Sequence, residues 1–182
     1  MPPKTKLAVI YGSARQGRFC DVVAKWVASE IRRHDHFALE LVDPRDLGHN
    51  RHDIAERLGD ADAFIIVTPE YNHGYTADLK ALIDAHSVQW QAKPLAFVSY
   101  GGISGGLRAI EQLRLVFAEL HVVAIRDTVS FAFASKKFDA SGALIEPGEP
   151  RRALAVLLAR LQWWAINLRE ARANTPYIEV AA

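Results

Sequence analysis

Residues 7–31 read LAVIYGSARQGRFCDVVAKWVASEI. Leu7 to Tyr11 is an unbroken apolar run. It passes straight into a loop, Gly12 to Phe19, that holds two glycines, a serine and two arginines. Beyond the loop, Val22, Val23, Trp26, Val27 and Ile31 recur at helical spacing. An apolar run without alternation suits a strand covered on both faces, and a helix following at once suits a crossover connection. The stretch therefore predicts a parallel sheet wound with helices on both sides.

The rest of the chain repeats the pattern. Ala63 to Thr68 (AFIIVT), Leu95 to Tyr100 (LAFVSY) and Val122 to Ile125 (VVAI) are further continuous runs, and Ala38 to Val42 (ALELV) alternates partly, as an edge strand would. Helical stripes lie between them. Leu79, Leu82 and Ile83 form one, with Thr76 at the N-cap and Asp78 in the first turn. Leu107, Ile110, Leu113 and Phe117 form another. The longest runs from Leu154 through Leu157, Leu158, Leu161 and Ala165 to Leu168, with Pro150 suited to its first turn. Phe133 to Pro150 carries turn signals and few large apolar groups, and reads as a surface loop. Residues 1–182 are expected to form a single domain.

Composition narrows the function. Lys and Arg number 22 against 21 Asp and Glu, a net charge of +1, so no global field draws the chain to nucleic acid or an anionic membrane. The single cysteine, Cys20, leaves no disulfide framework or multi-cysteine metal site. The apolar runs are too short to span a bilayer, and Arg126 and Asp127 break the most hydrophobic region. These features predict a soluble, cytoplasmic protein.

Ligands of such sheets bind at the carboxyl ends of the strands, beside the point where strand order reverses. Three strand ends carry unusual loops. In GSARQGRF (Gly12 to Phe19), free N–H groups at a helix start, with Ser13, Arg15 and Arg18, favour a phosphate. A triphosphate-binding loop is a poor match, because Phe19 stands where a magnesium-binding hydroxyl belongs. A dinucleotide fingerprint is also poor: Ala14 replaces a needed glycine, and Asp43 lies 26 residues after Gly17 rather than about 20. A mononucleotide fits better. In the second loop, Pro69, Tyr71, Asn72, His73 and Tyr75 offer rigid apolar surface with ring and amide donors, which suits a flat ring. The third, Gly101 to Gly106, has four glycines in six residues and lets backbone groups meet a ligand's polar edge. It also matches G-x-S-x-G through Gly102, Ser104 and Gly106, the string of a hydrolase nucleophile elbow. The only later histidine, His121, precedes Asp127 and Asp139, against the hydrolase order, and a helix cap is the better account of Ser104.

The set GSARQGR, TPEYNHG and SYGGISGGLRA resembles the NADPH-dependent FMN reductase family of flavodoxin-like proteins, which includes flavin, quinone, azo and chromate reductases. The resemblance runs from about Leu7 to about Val129. It implies a flavodoxin-like five-stranded parallel sheet in the order 2-1-3-4-5. It implies an FMN-dependent oxidoreductase that takes electrons from NADPH or NADH and gives them to a flavin, quinone, azo or metal-oxyanion acceptor. By the same resemblance, Gly12, Ser13, Arg15 and the backbone of Gly17, Arg18, Phe19 and Cys20 hold the FMN phosphate. Many members have serine and asparagine at the positions of Arg18 and Cys20, and Arg18 compensates by charge. Pro69, Glu70, Tyr71 and Asn72 contact the isoalloxazine, with His73 adjacent, and Ser99, Tyr100, Gly101 and Gly102 border its pyrimidine edge. No side chain is implied as an obligatory catalytic acid or base, since the flavin carries the chemistry. The alternative is an FMN-binding electron carrier not reduced by NAD(P)H, although small carriers of that kind are usually strongly acidic.

The remaining residues have quieter readings. Arg18 and the helix start lower the Cys20 thiol pKa, but no second cysteine can resolve a disulfide. His34, His36, His49 and His52 read as solvated loop residues and no metal site is expected. Arg108, just past the glycine loop, is a candidate for the incoming nucleotide phosphate. Trp90 covers either the flavin or a neighbouring subunit. Leu82, His86, Trp90, Arg114 and Leu115 are expected to offer a surface for a second copy, giving a homodimer or homotetramer.

Overall fold

The computed structural model describes residues 3–180. Five strands, β1 (Thr5–Tyr11), β2 (Phe37–Val42), β3 (Ala63–Pro69), β4 (Pro94–Tyr100) and β5 (Val123–Phe131), form one parallel sheet. Their order is 2-1-3-4-5, as expected from the sequence. Among the described residues the α-helices are α1 (Cys20–Ile31), α2 (Arg51–Asp60), α3 (Ala77–Asp84), α4 (Leu107–Glu119) and α5 (Gly148–Asn174). None is long and apolar enough to cross a membrane.

Two cores flank the sheet. Leu7 and Val9 of β1 pack with α1 and α5, whereas Ala8 and Ile10 pack with α2, α3 and α4. Both faces are buried, and this is why the run from Leu7 to Tyr11 shows no alternation. β1 is flanked by β2 on one side and β3 on the other, so strand order reverses at β1 and a crevice opens between the carboxyl ends of β1 and β3. Thr76 caps α3, accepting from Leu79 N at 3.1 Å.

Several elements depart from expectation. β5 is longer than Val122 to Ile125 and runs on through the two charged residues. Leu95 pairs with Ala124 but Phe97 with Thr128, so Arg126 and Asp127 sit in a bulge. Arg114 donates to the carbonyls of Ile125 at 2.9 Å and Arg126 at 3.3 Å, and Asp127 pairs with Arg160 at 2.5 Å. Charges that look like a strand terminator are thus held outside the ladder. Helix α5 begins two residues before Pro150, which is tolerated because a first-turn N–H has no helical acceptor anyway.

The expected partner-covering surface is also different. Trp90 is fully buried between Phe64 and Phe117, with ring centroids 4.9 and 5.5 Å away. Its Nε1 donates to the carbonyls of His86 (2.9 Å) and Ile83 (3.2 Å). It covers neither a flavin nor a neighbour. Leu82 and His86 are buried too, and Arg114 is engaged with β5; of that group only Leu115 is freely exposed, at 76%. Trp163 and Trp164 on α5 both reach solvent.

Trp90→Ala should therefore cost about 3–5 kcal/mol in urea unfolding, through lost burial and a cavity. Leu115→Ala should stay within about 0.5 kcal/mol. Comparable losses from the two would contradict this placement of the core.

Candidate functional site

The three loops singled out by sequence meet at the carboxyl edge of β1, β3 and β4. The first, residues 12–19, is anchored at its start. Gly12 N donates to Val67 O at 2.7 Å, and Thr76 Oγ1 donates to Gly12 O at 2.6 Å while capping α3. A Cβ on Gly12 would lie 2.6 Å from Thr68 Cα, so only glycine passes here. Gly17 takes φ +64°, a region that favours glycine, and a Cβ there would meet nothing within 4 Å. The loop then enters α1 without a side-chain cap. Among the described residues, the N–H groups of Gly17, Phe19 and Cys20 donate to no protein acceptor. Such a row is an anion-binding arrangement.

Around this row the side chains divide. The Arg15 side chain is exposed and donates to no protein acceptor among the described residues. Ser13 is buried, with its Oγ 3.3 Å from Tyr71 Oη and accepting from Arg15 N at 3.3 Å. Arg18, expected to lend charge to a phosphate, is instead turned into the protein with its side chain 3% exposed. It donates to both carboxylate oxygens of Asp43, to Asp21 Oδ1 at 2.8 Å and to Ser13 O, and lies 4.6 Å from the Tyr11 ring centre. Burial alone would raise the Asp43 carboxyl. The hydrogen bonds from Arg18 and from Arg45 N–H outweigh it and hold the group below the usual carboxylate range.

Cys20 is also inward, its Sγ donating to Val67 O at 3.4 Å, and burial pushes the thiol pKa up, against the lowering expected from the helix start. Phe19 is half-buried against Tyr100 and Phe138. Phe19 and Cys20 contribute only their backbone to the row.

One participant went unnoticed in the sequence. Arg45, just beyond β2, donates to Ala14 O at 3.0 Å and Arg15 O at 2.5 Å. Its signal was present: Asp43-Pro44-Arg45 directly follows the strand that neighbours β1. Asp78 also reaches the loop, accepting from Ala14 N at 3.1 Å.

The second loop is a tight hairpin. Tyr71 and Gly74 exchange backbone hydrogen bonds of 2.9 and 3.0 Å, and Asn72 and His73 both take positive φ, 50° and 70°. That is the geometry of a type I′ turn. It presents the side chains of Tyr71, Asn72 and His73 to solvent beside the buried Pro69. In the third loop Gly102 is open, and a Cβ there would meet nothing within 4 Å. Ser99 and Tyr100, expected to border a ring, are buried, and Ser99 Oγ supports the loop from beneath by donating to Gly105 O at 2.7 Å. Burial pushes the Tyr100 phenol well above its ordinary value.

Glu70 joins the second and third loops. Its side chain is 6% exposed and accepts from Ser104 Oγ at 2.6 Å and from Arg108 N at 3.2 Å. Arg108 Nε stands 2.6 Å from the other carboxylate oxygen, and Arg108 Nη1 meets His73 Nε2 at 2.9 Å. Burial would raise the Glu70 pKa; the Ser104 hydroxyl and the Arg108 charge outweigh it, and the group sits below its ordinary 4.5. Ser104 is therefore not the α4 cap, a position held by Gly106 at φ +89°. It lacks nucleophile-elbow geometry as well: its φ is not positive, its hydroxyl meets a carboxylate directly, and His121 is paired with Tyr177 at 2.8 Å. Arg108, a candidate for a nucleotide phosphate, is tied to Glu70 and His73, with its side chain 42% exposed.

The family described as NADPH-dependent FMN reductase matches residues 5–136. The chain is 36% identical over 120 residues to an NAD(P)H-dependent FMN reductase of Schizosaccharomyces pombe, covering 56% of this chain and 60% of that protein. It is 38% identical over 120 residues to an NAD(P)H:quinone oxidoreductase of Solanum tuberosum, covering 63% and 61%. The match thus spans about three-fifths of those relatives' length. A 2-hydroxy-1,4-benzoquinone reductase of a Burkholderia species is 28% identical, with 90% of this chain and 98% of that protein covered. Among solved structures, a flavoenzyme NAD(P)H:(acceptor) oxidoreductase from Paracoccus denitrificans superposes with a TM-score of 0.70 at 19% identity, covering 88% and 97% of the two chains. That last likeness concerns the fold.

Ser104→Ala should lower stability by about 1.5–3 kcal/mol, since it removes a hydrogen bond to a charged, buried acceptor. The Glu70 pKa is depressed on folding, so its contribution is fully present above the unfolded value and fades as pH falls through the folded one. Urea unfolding between about pH 3 and pH 7 should show a shallower loss on the acid side in Glu70→Gln than in wild type. Identical acid limbs would mean that Glu70 carries no such linkage.

Proposed function

The chain belongs to the NADPH-dependent FMN reductase family, matched over residues 5–136, and from that premise we propose that it binds FMN at the carboxyl edge of β1, β3 and β4. It passes electrons from NAD(P)H to a small acceptor of the quinone or flavin class. One observation carries the reading: the row of free N–H groups at Gly17, Phe19 and Cys20, entering an uncapped α1, with Arg15 unengaged beside it. A phosphate dianion is the group such a row recognises.

The residues present fit FMN. Gly17 and Gly102 both face open space where a Cβ would meet nothing. In this reading Ser13, Arg15 and the amide row hold the phosphate. Pro69, Tyr71 and the Asn72–His73 turn support the ring, and the backbone of Gly101 and Gly102 meets its polar edge. Glu70 acts through Ser104 and Arg108 by fixing the second loop against the third. FMN supplies the redox chemistry when bound, and the chain's own groups bind it, orient it and leave one side accessible to donor and acceptor.

Quinone as the acceptor class is supported by relatives bearing that activity in their names, one of them aligned over nearly the whole of both chains. We read residues 1–182 as one cytoplasmic FMN-binding unit acting as a homodimer or homotetramer. Ile103, Leu107 and Leu115, exposed on α4 and its entry loop, provide apolar surface for the contact.

Titration of the apoprotein should give FMN a far higher affinity than riboflavin. Arg15→Ala should weaken FMN by roughly ten-fold to more than a hundred-fold and spare riboflavin, the loss of one charge-assisted bond. Equal affinity for the two flavins overturns the phosphate assignment. Anaerobic mixing of the FMN-loaded protein with NADPH should bleach the oxidised flavin band, and added benzoquinone should restore it. A protein that stays yellow under NADPH is an electron carrier instead. Light scattering should report at least twice the mass of one chain, and a fully active monomer would exclude the assembly.

A further inference from the structure

We propose that Arg18 and Asp43 form a positioning latch that holds residues 12–19 in their phosphate-receiving shape before FMN arrives, and that Arg18 itself does not reach the phosphate. The inference rests on the FMN reading of the site and deepens it. Arginine carries five N–H donors. Four of Arg18's are engaged: one by Asp21, one by Ser13 O and two by the carboxylate of Asp43. The Tyr11 ring covers one face of the guanidinium. A buried cation held in this way is a fixed part of the scaffold rather than a free phosphate ligand.

Asp43 also governs a second arginine. Its Oδ1 accepts from Arg45 N at 3.0 Å and caps the short turn Pro44–Asp46. That turn aims Arg45 at the carbonyls of Ala14 and Arg15. Three successive loop carbonyls, those of Ser13, Ala14 and Arg15, are therefore held by two arginines that depend on one carboxylate. In a trans peptide the C=O and the following N–H point opposite ways. Turning these carbonyls toward the arginines turns the N–H groups of Ala14, Arg15 and Gln16 to the other side. The Ala14 N–H meets an anionic oxygen there, Asp78 Oδ2, and the Arg15 N–H meets Ser13 Oγ, so among the described residues only the Gln16 N–H of the three is free to lead into the row that begins at Gly17.

The competing account, in which Arg18 is a phosphate ligand restrained by Asp43, predicts the opposite sign for one substitution. Asp43→Asn keeps the shape of the side chain and removes its charge. If the pair is a latch, Asp43→Asn should weaken FMN by ten-fold or more and leave riboflavin unchanged. Hydrogen exchange of the apoprotein should then be faster across residues 12–19 while β3 and β4 keep their protection. The salt dependence of FMN binding should match wild type, because the phosphate-facing charge of Arg15 remains; Arg15→Ala should flatten it. Arg18→Lys, which cannot make the two-pronged contact, should follow Asp43→Asn in affinity and exchange. FMN affinity that is unchanged or tighter in Asp43→Asn, or loop exchange equal to wild type, overturns the latch. A wild-type protein that takes up no FMN overturns the reading of the site instead, and the exchange comparison still decides whether the pair holds the loop.

Discussion

Gly12 passes so close above the end of β3 that a single added carbon would strike Thr68 Cα at 2.6 Å. The geometry of the whole carboxyl edge follows from that approach. It lets Gly12 N reach Val67 O and lets Thr76 hold Gly12 O, so one residue connects the exit of β1, the end of β3 and the start of α3. The loop that follows begins from a fixed point and ends at another, the buried Cys20. Between them only the conformation of a few peptides remains to be set. Arg18 and Arg45 set it by taking the carbonyls of Ser13, Ala14 and Arg15, the peptides that lead into the amide row at Gly17, Phe19 and Cys20.

The other half of the site has no such close approach and is organised by a second carboxylate. Glu70 lies under the second loop and draws the third to it through Ser104 and Arg108. The two halves differ in what maintains them. The β1 exit at Gly12 depends on steric fit that only glycine satisfies, and the rest of the first loop on the Asp43 carboxylate through its two arginines. The Glu70 cluster depends on charge and hydrogen bonding at low exposure, where leaving one partner alone is costly. Tyr71 bridges them, contacting Ser13 with its hydroxyl while its backbone closes the hairpin.

Much of this was legible in the sequence because it is local. Continuous apolar runs such as Leu7 to Tyr11 require cover on both faces, and that requirement yields the sheet, its helices and the three loops at strand ends. Thr76 and Asp78 signalled the start of α3 within three residues. Features that depend on a distant partner were not legible. Arg18 looks like a phosphate residue until Asp43, 25 positions away, is brought beside it by the pairing of β1 with β2. The string Gly102-x-Ser104-x-Gly106 suggests a cap or a nucleophile and conceals Glu70, 34 positions earlier. Trp90 has no periodic neighbours to mark it as core. Arg126 and Asp127 look like a break in β5 because a bulge, which keeps them out of the ladder, leaves no local signature.

That bulge bears on how copies of this chain can come together. An outermost strand with a regular row of unused amides and carbonyls invites another strand to extend the sheet. In β5 the row is offset by two residues at Arg126 and Asp127, and the carbonyls of Ile125 and Arg126 are occupied by a guanidinium from α4. A strand laid alongside would meet a broken register and acceptors already in use. Growth by sheet extension, the route toward open-ended fibres, is disfavoured at this edge by the fold's own chemistry.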